Sequence, residues 1–503
     1  MALAAAARPP PEGLTADALA TALRRLAAAP ALRKARLGVA VADLTVGTWL
    51  FEHQADALRS VASNNKLVTT AAALVELGAA FEFSTTVSAV GELSGEGVLA
   101  GPLVVVGRGD PSLSGRFHDG KPTAVLEQWA RAVAEAGVRE VGGGIVVDDA
   151  YFDRQHVHPL WPEAQLGRWY CAPVGALSFN DNCVRVLVKP GAKPGAPALC
   201  AVVPATAYVR LKNACHTSPP RRGGNQVLVH RRPGTNDVHI SGSIRQDAEP
   251  FATWLTVHDP GLFAATVFGE VLAAQGVRVT GPVRRRAQDE ALDPEARREL
   301  ITTTSTLGQA AAVANRRSQN FYAEQLLKTL GRERGGGGSW AAGAQVVARF
   351  LRRARVRGAF EYRDGSGLAR ANRFTPRQLV TLLAWMNTRR CGSRYLRSLA
   401  EPGGDGTLAR RHRLAGLKGR LFAKTGHIAG VSALSGYLDT RGGRMVAFAI
   451  LVNGYRTSLG QVKAVQDAMS LRIADYAPHG ACAPPRHAAP PSSRHAAAQA
   501  STP

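Results

Sequence analysis

The strongest constraint on how this 503-residue chain folds is a change in the period of its apolar residues. Near the N-terminus, Leu37–Ala42 and Thr48–Phe51 read as two strands joined by a turn at Gly47, and a helix is expected from Ser63 to Leu77. Leu67, Ala71 and Leu74 share one face of that helix, and Gly78 stands where its C-terminal stop belongs. From about Thr86 to Pro282 the period shortens. Runs such as Leu103–Val106, Gly144–Val147, Val184–Val188 and Tyr208–Leu211 are separated by Gly, Pro and Asp turns, which is a strand pattern. Helical spacing returns from about Leu307, over Phe321–Leu330, Trp340–Ala354 and Arg377–Met386. Strands follow at Leu421–Thr425, Leu434–Leu438 and Met445–Val452, and a last helix over Val462–Ala474.

Two strands at one end and three at the other form one sheet most simply if the chain returns to close it. The expected fold class is therefore α+β: an antiparallel five-stranded sheet flanked by helices, with the β-rich middle hung from it as an insertion. No internal repeat is present. Beyond Ala477 the Ala, Pro, Ser and His composition is that of a disordered tail.

Composition narrows the function only a little. Lys and Arg exceed Asp and Glu by 24, a balance that suits an anionic partner but names none. No aromatic-basic motif accompanies the charge, so nucleic-acid binding is not expected. No apolar run reaches the roughly 18 residues of a membrane span, and no basic-then-apolar signal opens the chain. The six cysteines form no C-x-x-C pair and no cluster with metal-ligand spacing, so neither a metal nor a cofactor is expected. Cys200 and Cys215 lie in strand-like stretches that could pair as a hairpin, which leaves both a disulfide and two buried thiols open.

Three short patterns carry chemistry. Ser63-Asn64-Asn65-Lys66 puts a hydroxyl and an ammonium one helical turn apart, where a desolvated lysine can take a serine's proton. No other lysine here has a serine three positions before it, although an N-cap serine followed by a solvated lysine has the same spelling. Ser318-Gln319-Asn320 precedes a helix and pairs a proton-relaying hydroxyl with a carboxamide. Ser178-Phe179-Asn180 matches it equally well. Lys424-Thr425-Gly426 ends a strand, joining a cation, a hydroxyl and a glycine that permits close approach, a set suited to a carboxylate.

Their order decides between these readings. S-x-x-K on a helix, then S-x-N, then K-T-G on a strand is the signature of penicillin-recognising serine enzymes. The chain resembles the D-alanyl-D-alanine carboxypeptidase/endopeptidases, the class C low-molecular-mass penicillin-binding proteins. Further stretches look like that family: ASNNKLVTTAAAL (62–74), GRGDPSL (107–113), APVGALSFNDN (172–182), SQNFYAEQLLKTLG (318–331), DGSGL (364–368), GDGTL (404–408) and KTGHIAGVSALSGYL (424–438). The resemblance implies two inserted domains between the first and second motifs. The division is then 14–85 with 296–477 for the catalytic domain, 86–150 with 245–295 for one insert, and 151–244 for a second nested within it.

It also implies roles. Ser63 would be acylated, with Lys66 as its base; Ser318 would pass a proton to the leaving group, and Asn320 would bind the acyl amide. Lys424 and Thr425 would hold a terminal carboxylate beside Gly426, and the backbone N–H groups of Ser63 and His427 would form the oxyanion hole. His427 departs from the family, where a small hydroxyl residue usually follows K-T-G; its backbone N–H is kept and a hydroxyl is lost. The implied substrates are peptidoglycan stem peptides, with β-lactam antibiotics as covalent inhibitors, and the implied location is periplasmic or extracytoplasmic. Alternatives are a serine β-lactamase or esterase on the same scaffold, and a catalytically weak envelope scaffold. Trp161, Glu163, Trp169 and Tyr170, just before APVGALSFNDN, combine aromatic surface with one carboxylate and are a candidate pocket for a substrate side chain.

Overall fold

The computed structural model describes residues 13–220, 224–287, 290 and 297–478. Its central sheet runs in the order Leu421–Ile428, Val431–Asp439, Met445–Asn453, Arg36–Asp43, Thr48–His53, antiparallel throughout. The two ends of the chain thus close one sheet, as the period predicts. Seven of the eight residues of Arg36–Asp43 are buried, so both faces are covered. Alternate side chains enter different cores. Val39, Val41, Val446, Phe448 and Ile450 pack with Leu19, Leu23, Val462 and Met469 of the terminal helices. Ala40, Ala42, Ala447 and Ala449 face Leu379 and Leu383 of the Pro376–Asn387 helix on the other side. Each large side chain so buried contributes about 1.5–3 kcal/mol, while the alanines let helices approach the sheet closely.

Two helices lie against that second core, and both are buried nearly all round. Asn65–Glu76 follows a 3-10 turn at Ala62–Asn64, and ten of its twelve residues are buried. Asn320–Arg334 buries twelve consecutive residues, among them Glu324, Gln325, Lys328 and Thr329. Three of these four polar groups have partners, Glu324 accepting from the Trp340 indole at 2.8 Å. Gln325 donates to the Gly175 carbonyl at 2.9 Å, and Lys328 pairs with Asp153 at 2.6 Å.

The middle of the chain is built on a second five-stranded sheet, Val283–Arg285, Ile145–Asp148, Leu103–Gly107, Glu82–Val90, Arg297–Thr306, with mixed parallel and antiparallel pairing. Helices Ala124–Glu135 and Pro260–Ala274 cover it, so the insert is not all β. A short parallel sheet of Arg278–Val279, Glu140–Val141 and Val98–Leu99 belongs to the same segment, and two larger three-stranded sheets complete it. One has the order Leu199–Val203, Cys183–Lys189, Phe251–Thr256; the other joins Arg210–Ser218, Asp237–Arg245 and Leu228–Arg231.

Several boundaries move accordingly. Phe251–Thr256 pairs with Cys183–Lys189, so it belongs with the nested unit and not with 86–150. Arg297–Thr306, expected to open the second catalytic segment, instead pairs with Glu82–Val90 in the insert sheet. Trp161, Cys171, Ala172 and Val174, expected within the nested insert, pack in the core of the catalytic half. Cys200 and Cys215 do not form a hairpin: their strands lie in different sheets, and both are free thiols. The expected tail lies outside the described residues apart from its first position. No helix among the described residues is long and apolar enough to cross a membrane.

Candidate active site

Ser63 sits in the 3-10 turn that opens the Asn65–Glu76 helix. The residue before it, Ala62, is held at φ 44°, and this left-handed kink turns the chain sharply at Ser63. The kink is supported from one side by Gly367 at φ 83°, where a Cβ would come within 1.9 Å of the Ala62 carbonyl oxygen. Only glycine fits there. From the other side Gly426 packs on the same turn: a Cβ on it would lie 2.8 Å from the Val61 oxygen and 3.1 Å from the Ser63 nitrogen.

Lys66 joins the first two motifs. Its Nζ donates to Ser63 Oγ at 2.9 Å, to Asn320 Oδ1 at 2.6 Å and to the Ser366 carbonyl at 2.9 Å. It is fully buried. Burial pushes its pKa down to about 7, against the opposing pull of Glu324 and Asp364. Lys424 joins the second and third motifs, donating to Ser318 Oγ at 2.8 Å and to the Thr425 carbonyl at 2.8 Å. It too is fully buried and held well below the ordinary lysine range, first by desolvation and then by the nearby charge of Lys66. Ser318 is itself left-handed, at φ 59°. Asn320 completes the ring by donating from Nδ2 to the Tyr170 carbonyl at 2.7 Å. All six residues of the three motifs therefore meet in one place. Ser178, which spells the same S-x-N pattern, is buried elsewhere and bonds the Gly175 carbonyl.

Four groups that motif reading does not single out finish the site. The 364–366 turn offers three consecutive carbonyls to the Ser63 helix: Asp364 O to Asn65, Gly365 O to Thr69 and Ser366 O to Lys66. Its N–H groups at Gly365 and Ser366 donate to Glu324 at 2.8 and 2.7 Å. Asp364 in turn accepts from the backbone of Gly367 and Ala369. Burial raises Glu324 to about 7, helped by the neighbouring Asp364. Thr407, from the GDGTL stretch, meets Thr425 Oγ1 at 2.8 Å. DGSGL, GDGTL and SQNFYAEQLLKTLG are visible as stretches in the sequence, but nothing in the last of them marks Glu324, which spells an ordinary helix residue.

The proposed side-chain pocket divides. Trp161 is a core residue whose indole donates to Asp364 at 2.9 Å, so it braces the turn beneath Lys66 and reaches no cleft. Glu163 is exposed in a short 3-10 turn. Tyr170 contributes its carbonyl to Asn320, and Trp169 packs edge-on against its ring. Of the four, Trp169 alone lines the cleft of about 580 Å³ that leads from Gln319 along the insert. His427 is exposed, and its Nδ1 donates to the Val431 carbonyl at 3.0 Å, across the turn of its own hairpin.

Comparison with known proteins gives a consistent picture. The model of the D-Ala-D-Ala carboxypeptidase 3 (S13) family matches residues 19–476. A D-alanyl-D-alanine carboxypeptidase of Actinomadura sp. (strain R39) is 36% identical over 466 residues, 90% of this chain and 84% of that protein. DacB of Haemophilus influenzae, a D-alanyl-D-alanine carboxypeptidase, is 24% identical over 406 residues, 79% of this chain and 81% of its own. The crystal structure of penicillin binding protein 4 from Haemophilus influenzae superposes with a TM-score of 0.77 at 21% identity, over 90% of this chain and 99% of that one.

Proposed function

The chain belongs to the D-Ala-D-Ala carboxypeptidase 3 (S13) family, and from its site we propose that it is a serine peptidase cutting D-alanyl-D-alanine termini or cross-links of peptidoglycan stem peptides. The observation that carries this reading is the position of Lys66, desolvated and 2.9 Å from Ser63 Oγ. A lysine with a pKa near 7 is substantially neutral at physiological pH, so it can accept the serine proton as Oγ attacks the carbonyl of the penultimate D-alanine. The negative charge that develops on the carbonyl oxygen is met by the N–H groups of Ser63 and His427, which stand at the start of a helical turn and on the edge strand of the sheet. Ser318, bonded to Lys424, returns a proton to the departing amine. Water then cleaves the acyl-serine.

Lys424 and Thr425 receive the terminal carboxylate. Burial disfavours the Lys424 charge, and an arriving carboxylate removes that penalty by pairing with it, so the cation forms where the substrate needs it. Asn320 presents its carboxamide to the acyl amide while fixed to Lys66 and Tyr170. Such a substrate lies outside the cytoplasmic membrane, which makes the working location extracytoplasmic.

A β-lactam presents a strained amide and a carboxylate in the same arrangement. Benzylpenicillin should add one acyl group to the intact protein by mass spectrometry, and Ser63→Ala should carry none. An equal adduct on Ser63→Ala would overturn the assignment. A long-lived adduct marks a peptidase, and rapid turnover would mark a β-lactamase.

A further inference from the structure

The nested sheet has two unlike faces. Val184, Val186, Val188 and Leu255 point into the insert core. On the opposite face Arg185, Lys189, Leu199, Ala201 and Trp254 are exposed, and register places Val203, Arg185 and Trp254 in one row across the three strands. The row extends by one more member. Arg168 forms an antiparallel bridge with Leu255, so their neighbours Trp169 and Trp254 come opposite one another on the outer side. Both tryptophans are 43% exposed. Four positions at a strand spacing of about 4.8 Å span roughly 14 Å. Arg185 lies between Trp254 and Val203, has no acidic partner among the described residues, and is joined on this face by Lys189; Asp181, which also lines the cleft, is paired with Arg116 at 2.6 Å.

This row is continuous with the reaction centre. Trp169, Arg185, Trp254 and Gln319 line the same cleft, and Gln319 stands between Ser318 and Asn320. The turn that carries Trp169 also supplies the Tyr170 carbonyl to Asn320. Two half-exposed indole rings beside the guanidinium donors of Arg185 suit a chain of pyranose rings, whose C–H faces are apolar and whose edges carry hydroxyl and acyl oxygens. Pendant peptides with carboxylates complement Arg185 and Lys189. We propose that the outer face of this sheet, centred on Trp169, Arg185 and Trp254, is a carbohydrate-binding platform that holds the glycan strand while its peptide is cut. The proposal rests on the peptidoglycan reading of the active site, but its test reads a different quantity.

The test uses peptide-free oligomers of N-acetylglucosamine and the full-length protein. Saturable quenching of tryptophan fluorescence should appear with wild type. Trp254→Ala and Arg185→Ser should each weaken it about tenfold, and Trp254→Phe should restore part of the loss. Benzylpenicillin acylation and cleavage of a short D-alanyl-D-alanine peptide should keep wild-type rates in all three variants, which also shows that they fold. Hydrolysis of polymeric cell wall should fall with the loss of glycan binding. No saturable binding, equal binding by the variants, or preferential binding of oligothymidylate over the sugar oligomer would overturn the platform. Loss of penicillin acylation by wild type would instead overturn the active-site reading.

Discussion

The two halves of the molecule bury very different interiors. In the insert, Val87, Val105, Trp129, Val133, Ile145 and Phe268 form an apolar core, and the Trp129 indole finds Thr303 at 2.8 Å. In the catalytic half, the space between the Asn65–Glu76 and Asn320–Arg334 helices holds Lys66, Glu324 and Asp364, all fully buried. The insert core is stabilised chiefly by the transfer of apolar surface. The catalytic interior instead bears a desolvation cost, offset by hydrogen bonds from the 364–366 turn, and that cost is what lowers Lys66 toward 7. One region buries apolar surface, the other holds a buried lysine partly neutral.

The largest effect that tests this contrast is on the base. Lys66→Ala should slow penicillin acylation by about 10²–10⁴-fold or more, because Ser63 has no second proton acceptor at 2.9 Å. Wild-type acylation of the variant, by stopped flow, would remove Lys66 from the mechanism. Next is the insert core. Phe268→Ala, which removes a fully buried ring packed edge-on against Trp129, should cost about 3–5 kcal/mol in denaturant unfolding. The protein that remains folded should acylate normally; a matching loss of acylation would show that the two interiors are coupled.

A smaller effect is expected in the pH profile. Protonated Lys66 cannot accept the serine proton, so acylation should rise as pH passes through about 7. Burial drives Lys66 and Glu324 both toward neutrality. Glu324 raises the Lys66 pKa, so Glu324→Gln should move the midpoint to lower pH by about one unit or less. A midpoint that stays in place would make Glu324 a structural brace only. The smallest effect concerns His427, whose ring is committed to Val431. His427→Thr restores a hydroxyl beside the carboxylate site, worth about 0.5–1.5 kcal/mol for one hydrogen bond, and should improve KM for short D-alanyl-D-alanine peptides by a few-fold with kcat little changed.

The strands and helices that define the catalytic half are legible because each carries a period matched to one buried face. The insert helices show where that signal ends. Pro260–Ala274 is apolar on every side, since the insert surrounds it, and so carries no helical stripe. Ala124–Glu135 does carry one, in Val125, Leu126, Trp129 and Val133, but it is a single helix within a run of strand signals. The Cys200 and Cys215 strands are adjacent in sequence yet pair elsewhere, because sheet partnership is decided by long-range packing.

By itself the sequence determined the chemistry: the order of S-x-x-K, S-x-N and K-T-G, and the glycines without which their turns could not touch. Tertiary structure alone decided the surroundings of that chemistry. It put Trp161 under the 364–366 turn, Glu324 against the N–H groups of that turn, and Trp169 opposite Trp254. The physical reason is range. A motif depends on spacing within one turn or strand, whereas the desolvation that lowers Lys66, and the face a sheet leaves open, arise only when segments hundreds of residues apart have packed.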